Sequence, residues 1–291
     1  MPAPLPSLPT MALRRHGAHV LVAAFARPKV LNALSPQAYI DWLAAMRFAA
    51  ADPDVRVFVL TGEGSYFTAG QQLAPPSPDR DPVVQLEEGV AVTRSLIEEY
   101  INFPKLIIAA VNGPALGFGV TTLALADLVY AVPNATFRVP FMELALCVEA
   151  CSSVTFVKAL GNAKAKDMLF MGRTMTAKEW EAAGLVTDVF PVEGFLDRVL
   201  AKADQAASYS SDAVQGSLKL VRSVDRDVLL KMNDLEIKLL VERMTSADFA
   251  NAVASFMGAL APAHLAATKC QKPLTSSIRR AERRKKPKSK L

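Results

Sequence analysis

Short apolar runs recur through the first half of the chain, and breaks rich in Gly and Pro separate them. The runs at 55–61 and 106–110 predict buried strands, since each is too short for a helix and is bounded by turn-forming residues. The segment 35–51 opens on Ser-Pro, an N-cap followed by proline at the first helical position, and predicts a helix. A second helix is predicted over 82–102, after a long loop rich in Gly and Pro.

The remaining patterns complete an α/β arrangement. Residues 11–26 alternate enough between apolar and polar positions to predict a pair of strands, and shorter strands are predicted at 128–132, 136–139 and 185–190. Helical patterns dominate from about residue 151 onward. Strands that alternate with helices through residue 140 predict an α/β core.

We expect four segments along the chain. A loose arm covers 1–10, and an α/β core covers 11–192. A helical region at 193–268 covers the core or a partner subunit, and a basic tail occupies 269–291. At 291 residues the chain is long enough to bury a sizeable core.

The most informative stretch is VNGPALGFGVT at 111–121, which follows the predicted strand 106–110. It carries an Asn-Gly-Pro turn and two further glycines, Gly117 and Gly119, into a second apolar run. A strand, a turn and a helix that starts on glycine bring unpaired backbone N–H groups to one point. The stretch therefore predicts a site for an anion or an oxyanion.

The positive charge of the chain is concentrated at one end. The net charge is +5, and residues 278–291 hold eight Lys or Arg against one Glu, so the rest of the chain carries −2. Such a segment either contacts nucleic acid or a membrane, or is a solvated extension, and we favour the extension. The last three residues, Ser289-Lys290-Leu291, match the peroxisomal address.

The cysteines and histidines limit the kinds of site that the sequence predicts. Three cysteines without a C-x-x-C pair fit a reducing compartment. No histidine lies near Cys147 or Cys151 in the sequence, so we expect no zinc site and no other bound metal. The uncharged run 106–126 is long enough to cross a bilayer, but Asn-Gly-Pro interrupts it and we expect no membrane span.

Six pieces of sequence, in this order and spacing, resemble the crotonase (enoyl-CoA hydratase/isomerase) superfamily. They are RPKVLNAL at 27–34, FVLTGEGSYFTAG at 58–70, Pro104-Lys105, NGPALG at 112–117, ATF at 135–137 with Pro140, and AGLV at 183–186. Within that family, residues 103–190 most resemble the peroxisomal Δ3,Δ2-enoyl-CoA isomerase branch, notably in VEACSS at 148–153 followed by Phe156. The resemblance implies an α/β fold, a spiral of ββα units with a C-terminal helical trimerisation region, and hence a homotrimer or hexamer.

The resemblance also implies the chemistry, in which two backbone N–H groups hold the oxygen of a CoA thioester enolate. By position these are the amides of Gln71 and Phe118. The implied contacts to the CoA come from Ala69, Gly70, Gln71, Gln72 and Leu73. No separate cofactor is implied, because the substrate itself carries coenzyme A. Many relatives have Gly-Ala-Asp or Gly-Asn-Asp where this chain has Gly70-Gln71-Gln72, a change expected to affect loop shape and ligand fit.

The positions of the acidic residues favour isomerisation over hydration. Hydratases of the family use two glutamates, and the corresponding positions here hold Thr121 and Phe141. Glu149 falls where the isomerase branch places its base, among small or apolar neighbours that are expected to raise its pKa. It would take a proton from C2 of a 3-enoyl-CoA and return it at C4, which gives the 2-trans-enoyl-CoA of fatty acid β-oxidation.

Other interpretations stay open at this point. Glu149 is alternatively an acid at the N-terminus of the following helix, and the competing acid Glu143 is expected to be an exposed loop charge. Asp127 is expected to tether backbone between a helix and a strand. The alternative functions are a catalytically weak crotonase-fold protein that binds CoA or RNA, and another CoA-thioester reaction.

The expected partners follow from the isomerase hypothesis. They are an acyl-CoA thioester substrate and an import receptor that reads Ser289-Lys290-Leu291, with no nucleic acid and no membrane span. The expected location is the matrix of a peroxisome or a peroxisome-like organelle such as the glycosome.

Overall fold

The computed structural model describes residues 3–74 and 78–260. The chain divides into two compact units, residues 1–252 and 253–291, and only 253–260 of the second unit are described. The basic tail 269–291 and its Ser289-Lys290-Leu291 signal therefore lie outside the described residues. The four predicted segments stay predictions.

The strands and helices follow the predicted order. The strands are β1 (Met11–His16), β2 (Val20–Phe25), β3 (Val57–Gly62), β4 (Leu106–Val111), β5 (Ala115–Leu116), β6 (Leu128–Ala131), β7 (Thr136–Arg138), β8 (Met175–Thr176) and β9 (Asp188–Val189). The helices are α1 (Pro36–Ala51), α2 (Pro82–Asn102), α3 (Phe118–Thr121), α4 (Ser152–Leu160), α5 (Asn162–Met171), α6 (Ala177–Ala182), α7 (Phe195–Ala207), α8 (Ser211–Ser223), α9 (Arg226–Met244) and α10 (Ala247–Leu260). Short 3-10 turns cover Pro28–Val30 and Thr122–Leu125.

The larger sheet has six strands in the order β1-β2-β3-β4-β6-β9. Only β1 and β2 run antiparallel; the other neighbours are parallel, so the carboxyl ends of β3 and β4 meet at one edge. A smaller sheet has the order β5-β7-β8. The predicted strand pair over 11–26 and the buried strands near 55–61 and 106–110 are confirmed.

Local side-chain chemistry explains where the two predicted helices begin. Ser35 caps α1 by accepting a hydrogen bond from the Ala38 N–H, and Asp81 caps α2 by accepting one from the Val83 N–H at 2.7 Å. The predicted strand 185–190 was too long. The N–H groups of Leu185 and Val186 donate to the Trp180 carbonyl in a turn, so only the last residues reach the sheet.

A cluster of aromatic rings fixes the start of α3 against the rest of the core. The fully buried Trp42 of α1 packs edge-on against Phe25, Tyr100 and Phe118, with ring centroids 4.9, 5.9 and 5.7 Å away. Each such pair contributes roughly 0.5–1.5 kcal/mol beyond area burial. Phe118 is therefore held in place by β2, α1 and α2 together.

A partly buried ion pair attaches α8 to the sheet. Arg222 Nη2 lies 2.6 Å from Asp127 Oδ2, and the same oxygen accepts a hydrogen bond from the Ile107 N–H at 2.7 Å. The prediction that Asp127 tethers backbone is confirmed. Within the described ranges, no helix is both long and apolar enough to cross a membrane.

The fold predicts opposite outcomes for two glycine substitutions. A Cβ at Gly113 would lie 2.1 Å from the Ser65 carbonyl oxygen, so Gly113→Ala should lower the free energy of unfolding by about 2–3 kcal/mol. Gly89 is an exposed residue inside α2 with no atom within 4 Å of an added Cβ, so Gly89→Ala should raise it by about 1 kcal/mol. Urea unfolding of both variants measures the difference. Equal effects of the two substitutions would contradict the close backbone approach at Gly113.

Candidate active site

Two loops meet backbone to backbone where β3 and β4 end. Thr68 pairs with Ala115 in an isolated parallel bridge, and the Leu116 N–H donates to the Thr68 carbonyl at 3.0 Å. Beyond this bridge, a Cβ at Gly70 would lie 2.9 Å from the Leu116 carbonyl oxygen. Gly70 has φ +79° and Gly117 has φ +55°, values that favour glycine. The loops can approach this closely only because Gly70 lacks a side chain, whereas Gly117 is required for its left-handed backbone, since a Cβ there would lie 3.9 Å from Gly70 Cα.

The two predicted donor amides lie directly after these glycines. Gln71 pairs with Leu34 in an isolated parallel bridge. The Leu34 N–H donates to the Gly70 carbonyl at 2.8 Å, and the Gln72 N–H donates to the Leu34 carbonyl at 2.9 Å. The N–H of Gln71, which lies between these two bonds, therefore points away from Leu34. Phe118 is the first residue of α3, so its N–H has no partner within the helix. Among the described residues neither amide donates a hydrogen bond. Both are available to hold an anionic oxygen.

Two asparagines build the loop that carries Gln71. The Asn32 side chain donates to the carbonyls of Glu63 and Tyr66 at 2.9 and 2.8 Å. The Asn112 side chain accepts from the Gly62 N–H at 3.0 Å and donates to the Gly64 carbonyl at 2.9 Å. Neither role was predicted from the sequence, although each asparagine sits at the polar end of an apolar run, where a turn residue is expected.

The predicted CoA segment lies along the outer side of this loop. Gln71 and Gln72 are exposed, and Ala69 and Leu73 are half-buried. The Gln72 side-chain oxygen accepts a hydrogen bond from Arg27 Nη1 at 3.1 Å. Since the Gln71 side chain faces solvent, its larger size does not disturb the backbone contact at Gly70.

Glu149 lies on the loop that connects β7 to α4. The residue is partly buried, and its carboxylate makes no hydrogen bond or ion pair with any described residue. Burial, and secondly the negative charge of Glu236, raise the pKa of Glu149 to about 8. A carboxyl group with this pKa exchanges protons near neutral pH.

Tyr39 of α1 connects Glu149 with the start of α3. Burial, and secondly the charge of Glu149, raise the pKa of Tyr39 well above its usual value. The Tyr39 ring lies 5.1 Å from the Phe118 ring, centroid to centroid. Tyr39 thus packs against Phe118 and feels the charge of Glu149, and the glycine contact brings the loop that carries Gln71 against the turn that leads to Phe118.

Thr121 and Phe141, the two positions at which the resemblance would place glutamates in a hydratase, have structural roles here. Thr121 is buried and donates from Oγ1 to the Phe118 carbonyl at 3.0 Å, and Phe141 is a buried core residue. The competing acid Glu143 is exposed and pairs with Arg138. The expectation that Glu143 is an exposed loop charge is confirmed.

Glu236 is a second buried acid that the sequence analysis missed. It lies on α9 and accepts hydrogen bonds from the backbone N–H groups of Cys151 and Ser153 at 2.7 and 3.2 Å. Burial raises its pKa. Nothing in the local sequence distinguishes Glu236 from the other acids of α9, because its partners lie 85 and 83 residues away.

A cavity of about 710 Å³ is separate from these groups. It lies between α2, the 3-10 turn after α3, and the α8–α9 pair, and none of Gln71, Phe118 and Glu149 lines it. Within the described ranges, no group of three or more His, Cys, Asp or Glu side chains is arranged to hold a metal ion. The acid–base and hydrogen-bonding groups around Glu149 therefore define the candidate site.

Comparisons with known proteins agree with the resemblance seen in the sequence. A sequence model of the enoyl-CoA hydratase/isomerase family matches residues 15–264. The chain is 38% identical over 234 residues to "Enoyl-CoA delta isomerase 2" of Rattus norvegicus, which is 80% of this chain and 60% of the rat protein. It is 37% identical over 245 residues to "Enoyl-CoA delta isomerase 3, peroxisomal" of Mus musculus, which is 83% of this chain and 76% of the mouse protein.

Solved structures give the same result for the fold. The crystal structure of an enoyl-CoA hydratase/isomerase from Pseudoalteromonas atlantica superposes with a TM-score of 0.77 at 31% identity, covering 87% of this chain and 98% of that one. The crotonase-like α/β fold expected from the sequence is confirmed. The chain belongs to the enoyl-CoA hydratase/isomerase family.

Proposed function

We propose that this protein is a Δ3,Δ2-enoyl-CoA isomerase, which moves the double bond of a 3-enoyl-CoA to the 2-trans position. The observation that carries the proposal is the unpartnered Glu149 carboxylate, whose pKa is raised to about 8. The free Gln71 and Phe118 amides supply the second part of the site. The names of the rat and mouse relatives, both delta isomerases, support the same reaction.

The two amides stabilise the charge that develops during the reaction. Removal of a proton from C2, next to the thioester carbonyl, places negative charge on the carbonyl oxygen. The N–H groups of Gln71 and Phe118 hold that oxygen as the enolate forms. One preorganised donor of this kind contributes roughly 3 kcal/mol, or 10²–10³ in rate.

A single base completes the reaction. Glu149 takes the proton from C2, the enolate electrons shift along C2–C3–C4, and the protonated Glu149 returns the proton to C4. No water is consumed, and the atoms of substrate and product balance. Two-glutamate hydration is disfavoured because Thr121 and Phe141, which hold the corresponding positions, carry no acid.

The proposal extends to the CoA group, the assembly and the cell compartment. Residues 69–73 contact the CoA, which arrives with the substrate. Leu220, Val221 and Val224 on and after α8 are 74%, 72% and 78% exposed, which supports a homotrimer or hexamer in which another copy covers them. The name of the mouse relative supports a peroxisomal location, where an import receptor would read Ser289-Lys290-Leu291.

Profiling with 2-enoyl-CoA and other acyl-CoA thioesters separates isomerisation from another thioester reaction.

Replacement of the base tests the proposal directly. Glu149→Gln should lower kcat for 3-enoyl-CoA isomerisation about 10²–10⁴-fold, since it removes the proton carrier, with KM nearly unchanged. The measurement is the formation of the conjugated 2-enoyl thioester, followed by its ultraviolet absorbance. Glu143→Gln is the control, because Glu143 is an exposed loop acid six positions away that pairs with Arg138, and its kcat should match that of the unmodified protein. Full activity of Glu149→Gln would refute the assignment.

The pH dependence follows from the protonation state of Glu149. Only the ionised carboxylate accepts a proton, and its pKa is raised to about 8, so kcat/KM should rise about tenfold per pH unit below that value and level off above it. The measurement is initial isomerisation rates between pH 6 and 9.5, corrected for uncatalysed thioester hydrolysis. A flat profile over this range would argue against Glu149 as the base.

The backbone contact at Gly70 gives a test of the oxyanion site. Gly70→Ala places a methyl group against the Leu116 carbonyl at φ +79°, which should separate the two amides and lower kcat about 10²–10³-fold. Gly64→Ala is the matched control, since Gly64 has φ +78° and an added Cβ would lie 2.9 Å from the Pro28 side chain instead. Both variants should lose stability in urea unfolding. If Gly70→Ala keeps the kcat of the unmodified protein, as Gly64→Ala is expected to do, the amides at 71 and 118 do not hold the thioester oxygen.

A further inference from the structure

The loop that carries Glu149 has a strained backbone. Ala145, Ala150 and Cys151 adopt left-handed conformations with φ values of 52°, 53° and 60°. Residues with a Cβ rarely adopt this region, and such strain persists only where surrounding structure enforces it. Two of the three residues directly follow Glu149, so whatever holds them also sets the direction of the Glu149 side chain.

Helix α9 holds this loop at several points. The Glu236 carboxylate accepts hydrogen bonds from the Cys151 N–H at 2.7 Å, the Ser153 N–H at 3.2 Å and the Ser153 hydroxyl at 2.5 Å. The Cys151 thiol donates to the Leu229 carbonyl at 3.2 Å, and Arg243 Nε donates to the Ala145 carbonyl at 3.1 Å. Both ends of the strained loop are therefore fixed by the same helix.

Glu236 supplies the cap that α4 lacks. Cys151 occupies the N-cap position of α4, and its side chain makes no capping bond. The Glu236 carboxylate, from a distant helix, accepts from the first N–H groups instead, where the helix dipole favours a negative charge. Burial raises the pKa of Glu236, and the three donors oppose that rise by stabilising its ionised form. The turn that presents Glu149 thus depends on a second carboxylate that is buried nearby.

We propose that Glu236 is a positioning residue for the isomerase reaction, one that holds the turn carrying Glu149 in place and keeps a negative charge beside it. The proposal rests on the proposed role of Glu149 as the base. Glu236 does not touch the substrate; it acts through the backbone of Cys151 and Ser153 and through its charge.

Glu236 is the charged residue that acts on the pKa of Glu149, second to burial. Burial and its charge together raise the pKa of Glu149 to about 8. The pKa of Tyr39, from α1, lies well above 10, and those of Cys147 and Cys151, on the loop itself, are raised to about 12, so all three are neutral near pH 8. Arg243 is the cation of α9 whose charge reaches this loop, where it acts on Cys147.

Two variants of Glu236 separate its charge from its position. Glu236→Gln removes the charge and keeps the length, so Glu149 should ionise more readily and the rise of kcat/KM with pH should move to lower pH. Glu236→Asp keeps the charge and shortens the side chain, so kcat/KM should rise over the same pH range as in the unmodified protein. Its kcat should fall roughly tenfold to a hundredfold, because the turn that carries Glu149 is no longer held in place. Glu242→Gln, an exposed acid on the same helix, is the control and should change neither.

A measurement without substrate completes the test. Titration of ¹³C-labelled glutamate carboxyl groups by NMR identifies Glu149 by the signal that Glu149→Gln lacks, and the midpoint of that signal should fall in Glu236→Gln. If Glu236→Gln does not fold, Glu236→Asp alone tests the proposal. It should keep the pH dependence of kcat/KM of the unmodified protein and have a lower kcat. Profiles and kcat equal to those of the unmodified protein in both variants would overturn the role of Glu236. Failure of the proposed role of Glu149 is distinguished from this result, because in that case the Glu149→Gln variant would keep full isomerase activity.

Discussion

The backbone contact between Gly70 and Leu116–Gly117 is the constraint on which the candidate site depends. The parallel strands β3 and β4 bring two loops to the same edge of the sheet, the usual place for ligand binding in open α/β sheets. Adjacent strands alone do not place two amides at one point. The two left-handed glycines do so. Gly70 lets the loops touch because it has no side chain, and the amide that follows each glycine donates no hydrogen bond to the described backbone.

Because the donors belong to the backbone, the side chains at the same positions are free for other roles. The Phe118 ring packs against Trp42 and Tyr39 and fixes α3 in the core. The Gln71 side chain faces solvent, where it can differ from that of relatives without moving its own N–H. The departure at Gln71-Gln72 is therefore a change in the outer surface of the loop, and the geometry of the amide pair does not depend on it.

The sequence predicted those parts of the molecule that are set by local patterns. Ser35-Pro36, the apolar strand runs and the Gly-rich turn at 111–121 each carry their structural information within a few residues, and the structure agrees with them. The short strand β9 was overextended because Leu185 and Val186 are equally apolar in a turn and in a strand. Glu236 was missed for a different reason. Its role is set by a backbone turn 85 residues away, which no local pattern reports.

Glu149 and Glu236 show how environment assigns different roles to the same residue type. Glu236 receives three hydrogen bonds that stabilise its ionised form, whereas Glu149 receives none from the described residues and holds its proton up to a pH of about 8. In the unfolded chain the Glu149 carboxyl has an ordinary pKa, so the folded protein binds this proton more tightly than the unfolded chain does. Proton binding at Glu149 therefore stabilises the folded protein at low pH. This stabilisation is lost as the pH rises through the folded-state pKa of about 8. The ionised base that the reaction needs is thus the less stable form of the folded protein. Several hydrogen bonds from helix α9 hold the loop 145–153, whose backbone is strained at Ala145, Ala150 and Cys151, and so fix the turn on which this base lies.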